Sequence, residues 1–165
     1  MATTVKTTGL QQEIGKRDPF EVAEQEAYLN IARTRARAAA GFAELFRSHG
    51  LSEPQYNALR IAGASGTDGV RCDTIAERMV GLDPDVTRLI DRLEKAGLVA
   101  RARCTRDRRC VYVAATAAGR ALLRKLHPKV EALHRAQFGH LSGSELAALN
   151  RLLVKARAEL PEATR

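Results

Sequence analysis

The hydrophobic period of this chain switches from helical to two and back again, once, near its middle. From Pro19 to Gly97 the apolar residues recur at three- and four-residue spacing. Over Leu98–Cys104 and Arg109–Ala115 they alternate with arginine or polar residues, and from Thr116 onward helical spacing returns. Two alternating runs joined by Thr105–Arg108 read as a β-hairpin. A hairpin set among helices restricts the chain to a mainly α fold with a small β element.

Local signals mark the helices. Pro19 opens a long one that runs to about Ser48, with Tyr28, Ile31, Ala38, Phe42 and Leu45 as its apolar stripe. Such length is unusual for a helix of a globular domain and calls for a packing partner. His49-Gly50-Leu51 closes it. Ser52-Glu53-Pro54-Gln55 is a capping box for a helix carrying Tyr56, Leu59 and Ile61, which ends in Gly63–Gly69. A short helix near Asp73–Met79 turns Ile75, Ala76 and Met79 inward. Asp83-Pro84 starts the next, as a cap followed by proline at the first helical position. Val86, Leu89, Ile90 and Leu93 form its apolar face, and Gly97 stops it. Thr116 caps a helix with Leu122, Leu123, Leu126, Val130 and Leu133, kinked at Pro128. Ser142-Gly143-Ser144-Glu145 is a second capping box. Behind it Leu146, Leu149, Leu153, Ala156 and Leu160 keep coiled-coil-like spacing for two heptads.

These elements divide the chain. Residues 1–18 lack periodicity and are expected to be a mobile arm. Residues 51–116 hold two short helices, a tight turn, a capped helix and a hairpin, which is a winged helix-turn-helix. Residues 19–50 and 117–165 supply long helices for a shared dimerisation bundle. In such a lobe the second helix of the pair enters the major groove of DNA, about 12 Å wide. The hairpin then reaches the adjacent minor groove. Charge agrees with this. The chain carries a net +8, and residues 98–112 hold Arg101, Arg103, Arg106, Arg108 and Arg109 against Asp107 alone. That is half the net charge in 15 residues, on an extended tip that a narrow, electronegative minor groove favours.

The stretch Gly81 to Val99, followed by Asp107-Arg108-Arg109, resembles the MarR family of bacterial transcriptional regulators. Leu51–Tyr56 is similar to the family's entry into its second helix, and Thr116–Arg120 to its threonine-to-glycine entry into the helix after the wing. The resemblance covers about residues 20–160. It implies a homodimer built from the first and last helices, bound to a pseudo-palindromic double-stranded DNA operator, most often as a repressor. It also implies release by a small aromatic or phenolic ligand between bundle and DNA lobe, or in some members by cysteine oxidation. By the same resemblance Asp107 and Arg109 occupy the wing's Asp-x-Arg motif, with Arg109 in the minor groove and Arg106 and Arg108 beside it. Pro84–Arg92 match the recognition helix, with Asp85, Thr87 and Arg88 facing bases and Arg92 nearer the phosphates. Asp85 departs from the serine or threonine common there. It either meets a cytosine amino group or serves as an acid at the helix start.

Other residues carry weaker expectations. Phe42, Phe46, Tyr56 and His127 either line an effector cleft or are core. Arg33, Arg35 and Arg37 read as a solvated or salt-bridged helix face. Cys72 reads as a small core residue. Cys104 and Cys110 flank the wing tip among arginines, where a thiolate is favoured, and become cross-strand neighbours if the hairpin is centred near Asp107. A redox-sensing regulator is therefore one alternative, and an architectural DNA binder without effector is another. Three cysteines make no disulfide framework. The four histidines, His49, His127, His134 and His140, lack metal-ligand spacing, so neither metal nor cofactor is expected. A nucleophile elbow, a phosphate loop and zinc spacing are all missing, which argues against an enzyme. No apolar run is long enough to cross a bilayer. The first residues lack the apolar stretch of a signal peptide, and a cytoplasmic location is expected.

Overall fold

The computed structural model describes residues 9–81, 85–103 and 111–160. In chain order its elements are α1 (Leu10–Glu13), α2 (Ala23–Arg47), α3 (Glu53–Ala64), β1 (Val70–Arg71), α4 (Cys72–Arg78), α5 (Val86–Lys95), β2 (Val99–Arg103), β3 (Val111–Ala115), α6 (Ala117–Phe138) and α7 (Gly143–Ala158). The chain divides within α2 into two compact units, Met1–Gly41 and Phe42–Arg165.

In the first unit, Arg33 Nε donates to Glu13 Oε2 at 2.7 Å, and Arg37 lies 3.5 Å from the same oxygen. The salt-bridged reading of this arginine face therefore holds for Arg33 and Arg37. The arm expected over residues 1–18 contains a helical turn, α1, with Leu10 buried. α2 begins at Ala23 rather than at Pro19. Its Tyr28 and Ile31, expected in an apolar stripe, are exposed.

The second unit holds a core drawn from every element between the end of α2 and α6. Phe46, Leu59, Ile75, Ile90, Leu93, Val113 and Leu126 are its largest fully buried side chains. Leu122, Leu123 and Val130 of α6 pack against it, as their spacing implies. The sheet has three strands in the order β1-β3-β2, all antiparallel. The hairpin β2–β3 agrees with the alternating pattern. β1 is an addition, with Val70 opposite Val113 and Arg71 opposite Tyr112. Two residues are too short to show an alternation, so their pairing is decided by the distant partner strand.

The end of α5 and the start of α6 meet at one point. Gly97 takes a left-handed φ of +68°, which only glycine adopts without strain. Its N–H donates to Glu94 O, and Leu98 N donates to Leu93 O, the two bonds of a Schellman ending. Thr116 Oγ1 donates to Gly97 O at 2.7 Å and accepts from Gly119 N at 3.1 Å, while Thr116 N donates to Leu98 O. Thr116 thus caps α6 and ties it to the turn that ends α5. Gly119 fits there because it has no side chain: a Cβ would lie 2.1 Å from the carbonyl oxygen of Leu98.

Both capping boxes form. Ser52 and Gln55 exchange side-chain and backbone bonds at α3, and Ser142 and Glu145 do so at α7. The bonds from Ser142 hold the Glu145 carboxyl below its ordinary range. α7 buries no residue, and Leu152 and Val154 are each 59% exposed. Leu160, the last position of the expected stripe, lies beyond the helix end at Ala158. Among the described residues no helix is long and apolar enough to cross a membrane.

Gly119→Ala should cost about 1–3 kcal/mol or more, because the atom it meets is backbone and cannot swing aside. Gly143→Ala meets open space in the first turn of α7 and should gain about 0.4–1 kcal/mol. Denaturant unfolding of both variants checks this. Equal stability for the two would contradict the close approach at Leu98.

Candidate nucleic-acid interface

α4 and α5 are anchored by opposite economies of side chain. α4 buries Ile75 and half-buries Ala76, with Met79 packed just beyond its end. α5 buries Val86, Leu89, Ile90 and Leu93 along one stripe. Its other face leaves Thr87, Arg88 and Arg92 exposed and Asp91 half-buried. A helix held by one face, with a polar face outward and its start capped, suits insertion into a groove.

The start of α5 differs from the expectation at Asp83-Pro84, which lie outside the described residues. The first helical residue is Val86, and Asp85 is the N-cap. Asp85 Oδ1 accepts from Arg88 N at 3.0 Å, and Oδ2 sits 2.7 Å from Arg88 Nε. Both aspartates satisfy the short-range cap pattern, and the proline signal selects the earlier one. Of the two roles left open for Asp85, the geometry supplies the helix-start acid. It also braces Arg88, a base-facing candidate. Beside this region Arg71 pairs with Asp73 in the first turn of α4, and that bond holds the Asp73 carboxyl down at about 2.

The wing is described along its strands only. Val99 pairs with Ala115, Arg101 with Val113 and Arg103 with Val111, a register centred on residue 107. That is the register the cross-strand reading of Cys104 and Cys110 requires. Cys104, Arg106, Asp107, Arg108, Arg109 and Cys110 themselves lie outside the described residues. Arg101 does not share the role that charge counting gives it. Its side chain turns onto α5 and meets Asp91 at 2.5 Å and Glu94 at 3.0 Å. Burial works against its charge, but the bonds and attraction from Asp91 and Glu94 outweigh it and raise its pKa.

The effector candidates do not all come together. Phe46 stacks on Tyr56 with centroids 4.3 Å apart, and on Phe42 at 5.9 Å. Phe46 is buried. Burial pushes the Tyr56 phenol up, with Arg60 opposing. The histidine that joins this aromatic run is His134, 4.8 Å from Phe42. His127 is instead an exposed partner of Glu131, at 3.5 Å. The two histidines are seven residues apart on α6, so spacing alone does not choose between them. Cys72, at the start of α4, is half-buried, and burial raises its thiol pKa despite Arg101. Among the described residues no group of three metal-ligating side chains forms.

A capped, one-faced helix following a short helix and leading into an antiparallel hairpin defines a winged helix-turn-helix DNA-binding protein. Comparison places it more narrowly. Residues 51–111 match the family model described as MarR family. The chain is 30% identical over 127 residues to the homoprotocatechuate degradative operon repressor of Escherichia coli, covering 76% of this chain and 84% of that one. A MarR transcription factor structure from Planctomyces limnophilus shares 44% identity, with 83% of this chain and 99% of that chain covered and a TM-score of 0.63. Bordetella bronchiseptica BpsR, whose DNA binding is regulated by 6-hydroxynicotinic acid, is 26% identical, with 87% and 100% coverage and a TM-score of 0.73. The chain belongs to the MarR family and is a DNA-binding transcriptional regulator.

If Asp85 acts as the cap, Asp85→Ala should cost about 1 kcal/mol, whereas Asp85→Asn, an equally good cap, should cost far less. Thermal unfolding reads the difference. A changed base preference in Asp85→Asn at unchanged stability would restore the base-contact role.

Proposed function

We propose that this protein is a homodimeric repressor of a pseudo-palindromic operator. Each protomer sets α5 in a major groove and its wing in the neighbouring minor groove. The observation that carries this reading is the two-sidedness of α5: four buried apolar residues on one stripe, and Thr87, Arg88 and Arg92 exposed on the other. In this reading Thr87 and Arg88 face base edges, and Arg92 lies nearer the phosphates. Asp85 holds the helix start. Arg106, Asp107, Arg108 and Arg109 form the wing tip, with Arg109 entering the minor groove. Residues 51–116 are the DNA-binding lobe, and 19–50 with 117–165 the dimerisation region. Repression is supported by the Escherichia coli relative, itself a repressor. The dimer is supported by α7, which has no buried residue and exposes Leu149, Leu152 and Val154.

Regulation in this reading is release by a small aromatic ligand. Phe42 and Tyr56, each half-buried, flank the buried Phe46, and His134 lies tilted against Phe42, so the outer rings of this aromatic run are suited to receive a flat ring. BpsR responds to such a compound.

Selection of duplexes from a random-sequence pool tests the reading: enrichment of a two-fold-symmetric site supports it, and no enrichment sinks it. On the selected duplex, Arg109→Ala should lose about 1–3 kcal/mol of affinity. It should also flatten the salt dependence of the dimer by nearly two phosphate equivalents, at about 0.9 per charge. Wild-type binding across the salt titration would remove Arg109 from the minor groove. Challenge of the same complex with a panel of hydroxylated aromatic acids checks release, and a panel without effect would remove that half of the reading.

A chain ended at Ser142 should be monomeric or aggregated by light scattering and should lose tight operator binding. A truncated chain that stays a dimer would take α7 out of the interface.

A further inference from the structure

Arg101 sits in β2, opposite Val113 and two residues into the hairpin. It is the wing arginine closest to α5 in sequence, and it makes four bonds to that helix. Nη1 meets Asp91 Oδ1 at 2.5 Å and Glu94 Oε2 at 3.0 Å. Nη2 donates to the backbone oxygen of Thr87 at 3.2 Å, and the Arg101 backbone N–H donates to Glu94 Oε1 at 3.2 Å. Thr87, Asp91 and Glu94 are spaced by four and three, so they line one stripe of the helix over two turns. The planar guanidinium spans that stripe as a fork that lysine cannot reproduce. Its side chain is only 25% exposed, with two carboxylates around one cation.

Such a group has little left to offer a phosphate. What it controls is the angle between hairpin and helix. α5 and the wing address different grooves, and a wing that swings relative to the helix cannot keep both engaged. We infer that Arg101 is a positioning residue that locks the wing to the recognition helix through Asp91 and Glu94, so that this acidic pair on α5 supports specific DNA binding. The inference rests on the operator reading above. It assigns a favourable role to two acids that stand next to a polyanion, where simple charge counting makes them unfavourable.

That opposition gives the test its sign. Asp91→Asn with Glu94→Gln removes two negative charges per protomer, which by electrostatics alone tightens binding to any duplex. If the clamp positions the wing, the double variant binds a scrambled duplex more tightly than wild type. It binds the duplex selected by wild type about tenfold more weakly, the size expected when residues in contact are uncoupled. Minor-groove protection at the wing is lost in a hydroxyl-radical footprint, while protection of guanine N7 from dimethyl sulfate in the major groove under α5 remains. Arg101→Met gives the same footprint, and Arg101→Lys, which keeps the charge but not the fork, does not restore it. The single variants are measured alongside, so that unfolding of the double variant leaves the test readable. Tighter binding of both duplexes by the acid variants, or full rescue by Arg101→Lys, overturns the inference and leaves the operator reading intact. A wild type that selects no sequence from the pool overturns both.

Discussion

Everything the DNA lobe presents depends on the turn at Gly97-Leu98. Three elements converge there: α5 ends in it, β2 starts from it, and α6 is capped against it by Thr116. The turn is held by backbone carbonyls that already serve as hydrogen-bond acceptors, Gly97 O to the Thr116 hydroxyl and Leu98 O to the Thr116 amide. Gly119 lets α6 approach to within the space a methyl group would need. Because these contacts involve main chain rather than long side chains, they leave few ways for the helix, the hairpin and the following helix to move independently. Lateral contact from Arg101 adds a second tether further along α5. A helix fixed at its end and again along one side is a rigid probe, which is what base reading to within a hydrogen-bond length requires.

The distribution of charge is less simple than its total. Among the described residues, Arg33, Arg37, Arg47, Arg71, Arg88, Arg101 and Arg135 each sit beside a carboxylate of this same chain. Most of these are exposed pairs of small energetic value. Their effect is on where the net +8 can be felt: a paired arginine adds little to the field that draws DNA in. Arg101 differs in being partly enclosed and shared by two acids, so its contribution is geometric.

Much of this was legible in the chain because the signals are short-range. Ser52 with Gln55, Ser142 with Glu145, and Thr116 each need only residues three positions away, and all three caps form as read. The hairpin was legible because alternation over five residues has no helical alternative. What escaped depended on distant partners. β1 is two residues long and owes its existence to Val113, more than forty positions on. The choice between His127 and His134 is made by the packing of α6 on Phe42, to which heptad spacing is blind. The start of α5 had two aspartates to choose from. Charge counting groups Arg101 with the wing's positive charges, because composition registers charge and not partners. The available signal was Asp91 and Glu94 on the helix that the hairpin folds back upon.

A last helix with no fully buried residue, and with Leu149, Leu152 and Val154 exposed, has a consequence for abundance. On the proposed dimer, the exposed apolar surface of α7 at Leu149, Leu152 and Val154 leaves water when two chains meet, so part of the free energy that keeps each chain folded is supplied by association. Stability then rises with protomer concentration instead of being a fixed property of the sequence. A cell holding few copies would carry a fraction of lone chains, with Leu152 and Val154 facing solvent and open to proteolysis. Operator occupancy would follow roughly the square of copy number at that low end. The same helix would thereby set a floor on expression, below which the regulator fades from the cell faster than dilution alone explains.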